Sequence, residues 1–109
     1  MRILFDQGVP LPLKSFLIGK EVSTLYELGW SQLSNGDLID RAENEGFDCF
    51  VTTDKNLKYQ QNLTNREISI VVLPTPSWPK LKDHGAHVDS IVFSISSGDF
   101  IEIDLPHST

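Results

Sequence analysis

Short apolar runs alternate with amphipathic segments along the whole chain. Five runs rich in β-forming residues predict strands at residues 2–5, 21–25, 48–53, 67–73 and 100–105. Between them lie segments whose apolar residues recur every three or four positions, which predicts helices. These are a short helix through Leu13, Phe16 and Leu17, one that begins at Ser34 or Asn35 and ends at Gly46, one over 55–63 and a long one over 80–96. Residues 27–36 are predicted to form a loop, up to the start of the second helix.

This alternation of strands and helices predicts an α/β fold. The expected architecture is a three-layer sandwich, with a mostly parallel five-stranded sheet and helices on both faces. Right-handed crossovers favour the strand order 2-1-3-4-5. That order places a topological switch point at the carboxyl end of the first strand. The length of 109 residues is that of one domain, residues 1–109.

Composition and charge add two constraints. The chain has a single cysteine, Cys49, and no apolar stretch approaches the roughly 18 residues of a membrane span. We therefore expect a cytoplasmic protein with a buried, inert thiol. The net charge of −6 argues against general binding to nucleic acid. It leaves room for a local basic patch or for an acidic pocket that holds a metal ion.

Three aspartates are predicted to meet at one edge of the sheet. Asp6 follows the first strand, Asp54 follows the third, and Asp37 lies in the first turn of the helix after the second strand. Carboxylates that meet in this way repel one another unless a cation such as Mg²⁺ lies between them. Repulsion also predicts that Asp6→Ala stabilises the metal-free protein. Helix capping explains the aspartates equally well, so both interpretations stay open at this point.

Three motifs around these aspartates resemble a known family. The runs ILFDQGVP, NGDLIDRA and FVTTDKNL, within residues 2–73, resemble the small PIN-like domains of bacteria and archaea, which are related to the VapC-type toxin ribonucleases. Asp6, Asp37 and Asp54 match three acidic positions of that family. Gln7 and Asn56 stand where the family usually carries further acids.

The resemblance implies a metal-dependent endoribonuclease, of the kind that serves as the toxin of a toxin–antitoxin pair. It implies Asp6, Asp37 and Asp54 as catalytic residues, and Mg²⁺ or Mn²⁺ held by these three together with Asn56. The implied partners are RNA, an antitoxin protein and a second copy of the chain, with no role for a membrane.

The residues beside Asp54 are candidates for substrate contacts. Lys55 and Lys58 are three residues apart on the predicted helix and could contact phosphates, although a solvated surface charge is the more usual role of such lysines. Thr53 is a candidate for substrate binding, and Thr52 or Thr53 could hydrogen-bond a ligand carboxylate or water. Tyr59 and Trp30 are aromatic residues that could stack on bases, although packing on the core as a loop anchor is the more usual role of a tryptophan such as Trp30.

Two other readings remain open. Gln7 and Asn56 are also compatible with a catalytically eroded PIN-like module that acts by binding a protein or RNA partner. A receiver-like phosphotransfer domain would also place acids after its first and third strands. The single acid at Asp6 counts against that last reading, because such domains carry a pair there.

Overall fold

A computed structural model describes residues 1–60 and 63–105, except for the side chains of residues 59 and 60. Within these residues, five strands form one parallel sheet: β1 (Arg2–Phe5), β2 (Glu21–Thr24), β3 (Cys49–Thr52), β4 (Ser69–Val72) and β5 (Phe100–Glu102). Their order is β2-β1-β3-β4-β5. The predicted α/β class and strand order are confirmed.

Helical segments connect the strands. They are a 3-10 helix at Leu11–Phe16, α1 (Leu25–Leu28), α2 (Asn35–Asn44), α3 (Leu57–Gln60), α4 (Trp78–Leu81), a 3-10 turn at Lys82–His84, and α5 (Gly85–Ser94). In the described part of the chain, none of them has the length and apolar character needed to cross a membrane.

Two sequence predictions about the helices are wrong. The segment predicted as the end of a strand and a loop contains α1, because Thr24 and Glu27 form a reciprocal capping box and Gly29 ends the helix with a φ of 73°. The long helix predicted over 80–96 is divided into α4, a 3-10 turn and α5. The helix predicted over 55–63 begins later, at Leu57, and residues 61–62 of that prediction lie outside the described residues.

Apolar side chains pack on both faces of the sheet. Alternate strand residues, such as Ile3 and Val51, face a core formed with the Leu11–Phe16 helix, α4 and α5. Their neighbours, such as Leu4 and Phe50, face a second core formed with α1, α2 and α3. Cys49 is fully buried, as predicted, and burial, with a smaller effect of Asp48, raises the pKa of its thiol to about 12. The sheet is therefore the middle layer of three.

Candidate functional site

The carboxyl ends of β1 and β3 lie side by side near the middle of the sheet. Asp6 comes directly after β1, and its backbone N–H donates to the carbonyl of Val51 on β3, at 2.9 Å. Thr52 is the last residue of β3, and Asp54 follows two positions later. Parallel pairing of the two strands therefore brings Asp6 next to the segment that contains Asp54.

One buried hydroxyl joins the two aspartates. The Thr52 side chain is completely buried, and its hydroxyl donates to Asp6 Oδ2 at 2.7 Å. The Thr52 hydroxyl oxygen also accepts a hydrogen bond from the backbone N–H of Asp54 at 3.0 Å. The backbone N–H of Gln7 donates to Asp6 Oδ1 at 2.8 Å. The Asp6 carboxylate is thus held by a hydrogen bond on each oxygen.

The Asp54 carboxylate is held in a similar way. The backbone N–H of Asn56 donates to Asp54 Oδ1 at 2.9 Å, and the Asn35 side-chain amide donates to Oδ2 at 3.4 Å. Asn35 is the first residue of α2. Sequence reasoning considered Asn35 only as a helix cap; the capping residue is its neighbour Ser34, which leaves the Asn35 side chain to contact Asp54.

Asp37 is engaged elsewhere. It is exposed in the first turn of α2, where the Ser34 hydroxyl donates to its carboxylate at 3.2 Å and the Asp37 backbone N–H approaches the same hydroxyl at 3.5 Å. Among residues 1–60 and 63–105, no three His, Cys, Asp or Glu side chains form a group that could hold a metal ion. The structure joins Asp6 to Asp54 through Thr52, but it does not form the expected cluster of three carboxylates. A role for Asp37 as a metal ligand stays a prediction.

The loop after β1 packs closely against Thr53. Thr53 is half-buried, and a Cβ atom added to Gly8 would lie 2.4 Å from its hydroxyl oxygen. Only glycine fits at position 8 without a shift of Thr53. Asn56 is exposed, and its backbone N–H is the group that contacts Asp54. Substrate contact by Thr53 and metal binding by the Asn56 side chain stay predictions.

The predicted substrate lysines lie toward β5. Lys58 Nζ forms an ion pair with Glu102 of β5 at 2.5 Å. Lys55 is exposed and lines a cleft of about 110 Å³, together with Glu102 and Asp104. Lys55 therefore presents a positive charge at a cleft that also contains two acids, one of which, Glu102, pairs with Lys58.

The aromatic side chains do not all face the site. Trp30 is only 7% exposed and packs edge-on against Phe47, with ring centroids 5.9 Å apart, so it is a loop anchor packed on the core and is not available to stack on bases. The side chain of Tyr59 lies outside the described residues. Tyr26, on α1, is 87% exposed and was missed, because the segment around it was predicted to be a strand end followed by a loop.

The chain was compared with protein-family models, with curated proteins and with solved structures, and none of the three comparisons gave a significant match.

Proposed function

We propose that the chain is a cytoplasmic PIN-like endoribonuclease, with Asp6 and Asp54 as its catalytic pair, and that it acts as the toxin of a toxin–antitoxin pair. One observation supports the proposal above the others. The buried Thr52 hydroxyl contacts both the carboxylate of Asp6 and the backbone N–H of Asp54, 48 positions further along the chain, at the carboxyl ends of adjacent strands. Ligands of open α/β sheets bind at this edge, near the point where the strand order reverses.

The donor set fits a hard divalent cation. Mg²⁺ prefers oxygen ligands, keeps several waters, and is usually held by one or two carboxylates together with substrate phosphates. Asp6 and Asp54 would supply two carboxylates to such a cation, and the amide of Asn35 lies beside Asp54. A bound Mg²⁺ or Mn²⁺ would polarise a phosphate oxygen and lower the pKa of a water molecule.

The residues of the chain position this chemistry. Thr52 and the N–H of Gln7 fix the rotamer of Asp6, while Asn35 and the N–H of Asn56 fix that of Asp54. Hydrogen bonds of this kind around metal-binding carboxylates typically change metal affinity or activity 10- to 100-fold when they are removed. Lys55, on the β5 side of the pair, would contact a phosphate of the substrate.

A second function is binding without cleavage. It is favoured by the contact of Asp37 with Ser34, which leaves the pair without a third carboxylate, and by the amides Gln7 and Asn56. A protein with this function would still bind RNA or an antitoxin-like partner, as a monomer or as a homodimer.

Labelled single-stranded RNA incubated with Mn²⁺ separates the two functions. We expect the wild-type chain to cleave the RNA, and we expect chelation of the metal or Asp54→Asn to reduce the rate by about a hundredfold or more. Asp83→Asn is a matched control, because Asp83 is an exposed aspartate in the 3-10 turn between α4 and α5. Equal cleavage by the two variants would refute the catalytic role of Asp54. RNA binding without any cleavage would establish the second function instead.

A further inference from the structure

A cavity of about 580 Å³ opens beside Asp6, between the carboxyl ends of β1 and β2. We call it the Tyr26 pocket and define it by Phe5, Asp6, Leu11, Lys14, Leu25 and Tyr26. Its volume lies within the range of pockets that bind small organic groups, and its walls are mainly apolar. Because Asp6 lines this pocket and also belongs to the Thr52-linked pair, the pocket is continuous with the candidate site.

The walls of the pocket suit a flat aromatic ring. Tyr26 is 87% exposed and Leu11 is 57% exposed, so both present apolar surface to an incoming ring. Tyr26 is held on a firm support, since the capping box between Thr24 and Glu27 fixes the start of α1. A tyrosine ring presented in this way is a stacking surface that loses little conformational freedom when a base binds.

The charges of the pocket suit a phosphate next to that ring. Lys14 is exposed, and within the described residues no carboxylate lies within ion-pair distance of its ammonium group. The other acid in the wall, Glu27, accepts hydrogen bonds from the backbone N–H of Thr24 at 3.2 Å and from its hydroxyl at 3.1 Å. Lys14 is therefore the charged group that is available to bind an anion in this pocket.

We propose that the Tyr26 pocket binds one unpaired base of single-stranded RNA, with Lys14 on the adjoining phosphate. The inference rests on the proposed function, since it places the cleaved phosphodiester at Asp6 and Asp54 and the neighbouring nucleotide in the pocket. A base can enter only if it is not stacked within a duplex, so the preferred substrate class is a single strand or a loop. The strand then crosses the edge of the sheet from Lys55, past the aspartate pair, to Tyr26.

Binding of a short single-stranded RNA with 2-aminopurine at successive positions tests this inference. The Asp54→Asn chain is used as the background, so that the RNA is not consumed. We expect 2-aminopurine fluorescence to be quenched at one position, and we expect Tyr26→Ala to remove the quenching and to weaken binding about 10- to 100-fold. Tyr26→Phe should keep both properties, because it keeps the ring. Phe93→Ala is the matched control, since Phe93 is 78% exposed and does not line the pocket.

The possible results test base binding in the Tyr26 pocket separately from RNA cleavage at the aspartate pair. Unchanged affinity and quenching in Tyr26→Ala would overturn the pocket, whether or not the wild-type chain cleaves RNA. Absence of cleavage by the wild type, with Tyr26-dependent binding retained, would overturn the hydrolysis and leave the pocket standing. Equal affinity for the blunt duplex of the same sequence would overturn the preference for a single strand.

Discussion

At the scale of single residues, Thr52 determines how the Asp6 carboxylate is held and contacts the backbone of Asp54. Sequence reasoning places Asp6 and Asp54 at one edge and predicts that they repel one another. In the structure, Asp6 accepts a hydrogen bond from a hydroxyl that is completely buried. The contact gives Asp6 a structural role that the charge pattern alone does not reveal.

The first prediction reverses the expectation drawn from repulsion. Asp6→Ala should lower the free energy of unfolding by about 1–3 kcal/mol in chelator, because it leaves the buried Thr52 hydroxyl without its acceptor. Urea unfolding measures this change. In combination with Thr52→Val, the loss should be less than the sum of the single losses, because both partners are then apolar. A more stable Asp6→Ala chain would mean that repulsion between the acids outweighs the hydrogen bond.

The second prediction concerns Asp37 and its partner Ser34. Either Ser34→Ala or Asp37→Asn disturbs the contact between the two side chains, and we expect each to cost about 1 kcal/mol of stability, as lost helix caps do. Because the Asp37 carboxylate contacts Ser34 and is not part of the aspartate pair, both variants should cleave RNA at rates close to wild type. A loss of cleavage confined to Asp37→Asn would instead make Asp37 a ligand, as the family resemblance implies.

Some site residues could be predicted from sequence and others could not. Asp6 and Asp54 follow strand ends, so the topology of the sheet alone brings them together. Asn35 and Asp37 lie two residues apart at the start of a helix. Because Ser34 is the residue that caps this helix, the side chain of Asn35 is the one that reaches Asp54. Which residue caps the helix depends on side-chain geometry, and a hydrophobic pattern does not predict that geometry.

At the scale of secondary-structure elements, tertiary contacts explain the main differences from the sequence pattern. The predicted long helix is divided next to Gly85, which is buried against the ring of Phe16; a Cβ atom there would lie 2.4 Å from the ring. Phe16 and Trp78 also pack together, with ring centroids 5.9 Å apart. A periodic pattern predicts that apolar residues face inward, but it does not reveal such close approaches between distant elements.

The third prediction concerns the attachment of α2 to the start of β4. Arg66 Nη1 donates to Glu43 Oε1 at 2.6 Å, while the backbone N–H groups of Glu67 and Ile68 donate to Oε2 at 2.7 and 3.2 Å. Burial alone would raise the pKa of Glu43, but these hydrogen bonds together outweigh it, and the net pKa lies below its ordinary value of 4.5. A lowered carboxyl pKa stabilises the fold fully above that ordinary value, and this stabilisation is lost as the pH falls through the lowered pKa.

Glu43→Gln should therefore reduce the free energy of unfolding at neutral pH, and it should flatten the decline of stability below about pH 4.5. Urea unfolding at a series of pH values measures both effects. Glu45→Gln is the control, because the Glu45 side chain is 53% exposed. Among the described residues its only ion pair is with Arg41, at 3.9 Å. Identical pH profiles for the two variants would contradict the role given to Glu43.

At the scale of the whole molecule, the strand order is the feature that the sequence predicts best. Alternating strands and helices, together with right-handed crossovers, leave few topologies, and the observed order β2-β1-β3-β4-β5 is the one expected. This order places the aspartate pair between a mainly apolar pocket and a cleft lined by charged residues. The Tyr26 pocket lies on the β2 side, and the cleft at Lys55 lies on the β5 side.

The fourth prediction follows from the distribution of charge over the molecule. The chain carries a net charge of −6, so RNA must be bound through a few local lysines rather than through a broad basic face. With Lys14 and Lys55 as the contacts, the logarithm of the binding constant should fall with the logarithm of the salt concentration with a slope of about −1.4. Lys14→Ala should halve this slope. Lys82→Ala is the control and should not alter it, because Lys82 is exposed but lines neither the Tyr26 pocket nor the cleft at Lys55. An unchanged slope in the Lys14→Ala chain would show that other basic side chains bind the RNA.

The central claim is that Asp6 and Asp54 together hold a divalent cation at the carboxyl edge of the sheet. Anomalous scattering from a crystal of the full chain soaked in Mn²⁺ tests it most directly. We predict one strong peak about 2.1 Å from a carboxylate oxygen of each aspartate, and no peak there in Asp54→Asn. Well-ordered side chains with no peak between them, or a peak held by other residues, would contradict the account.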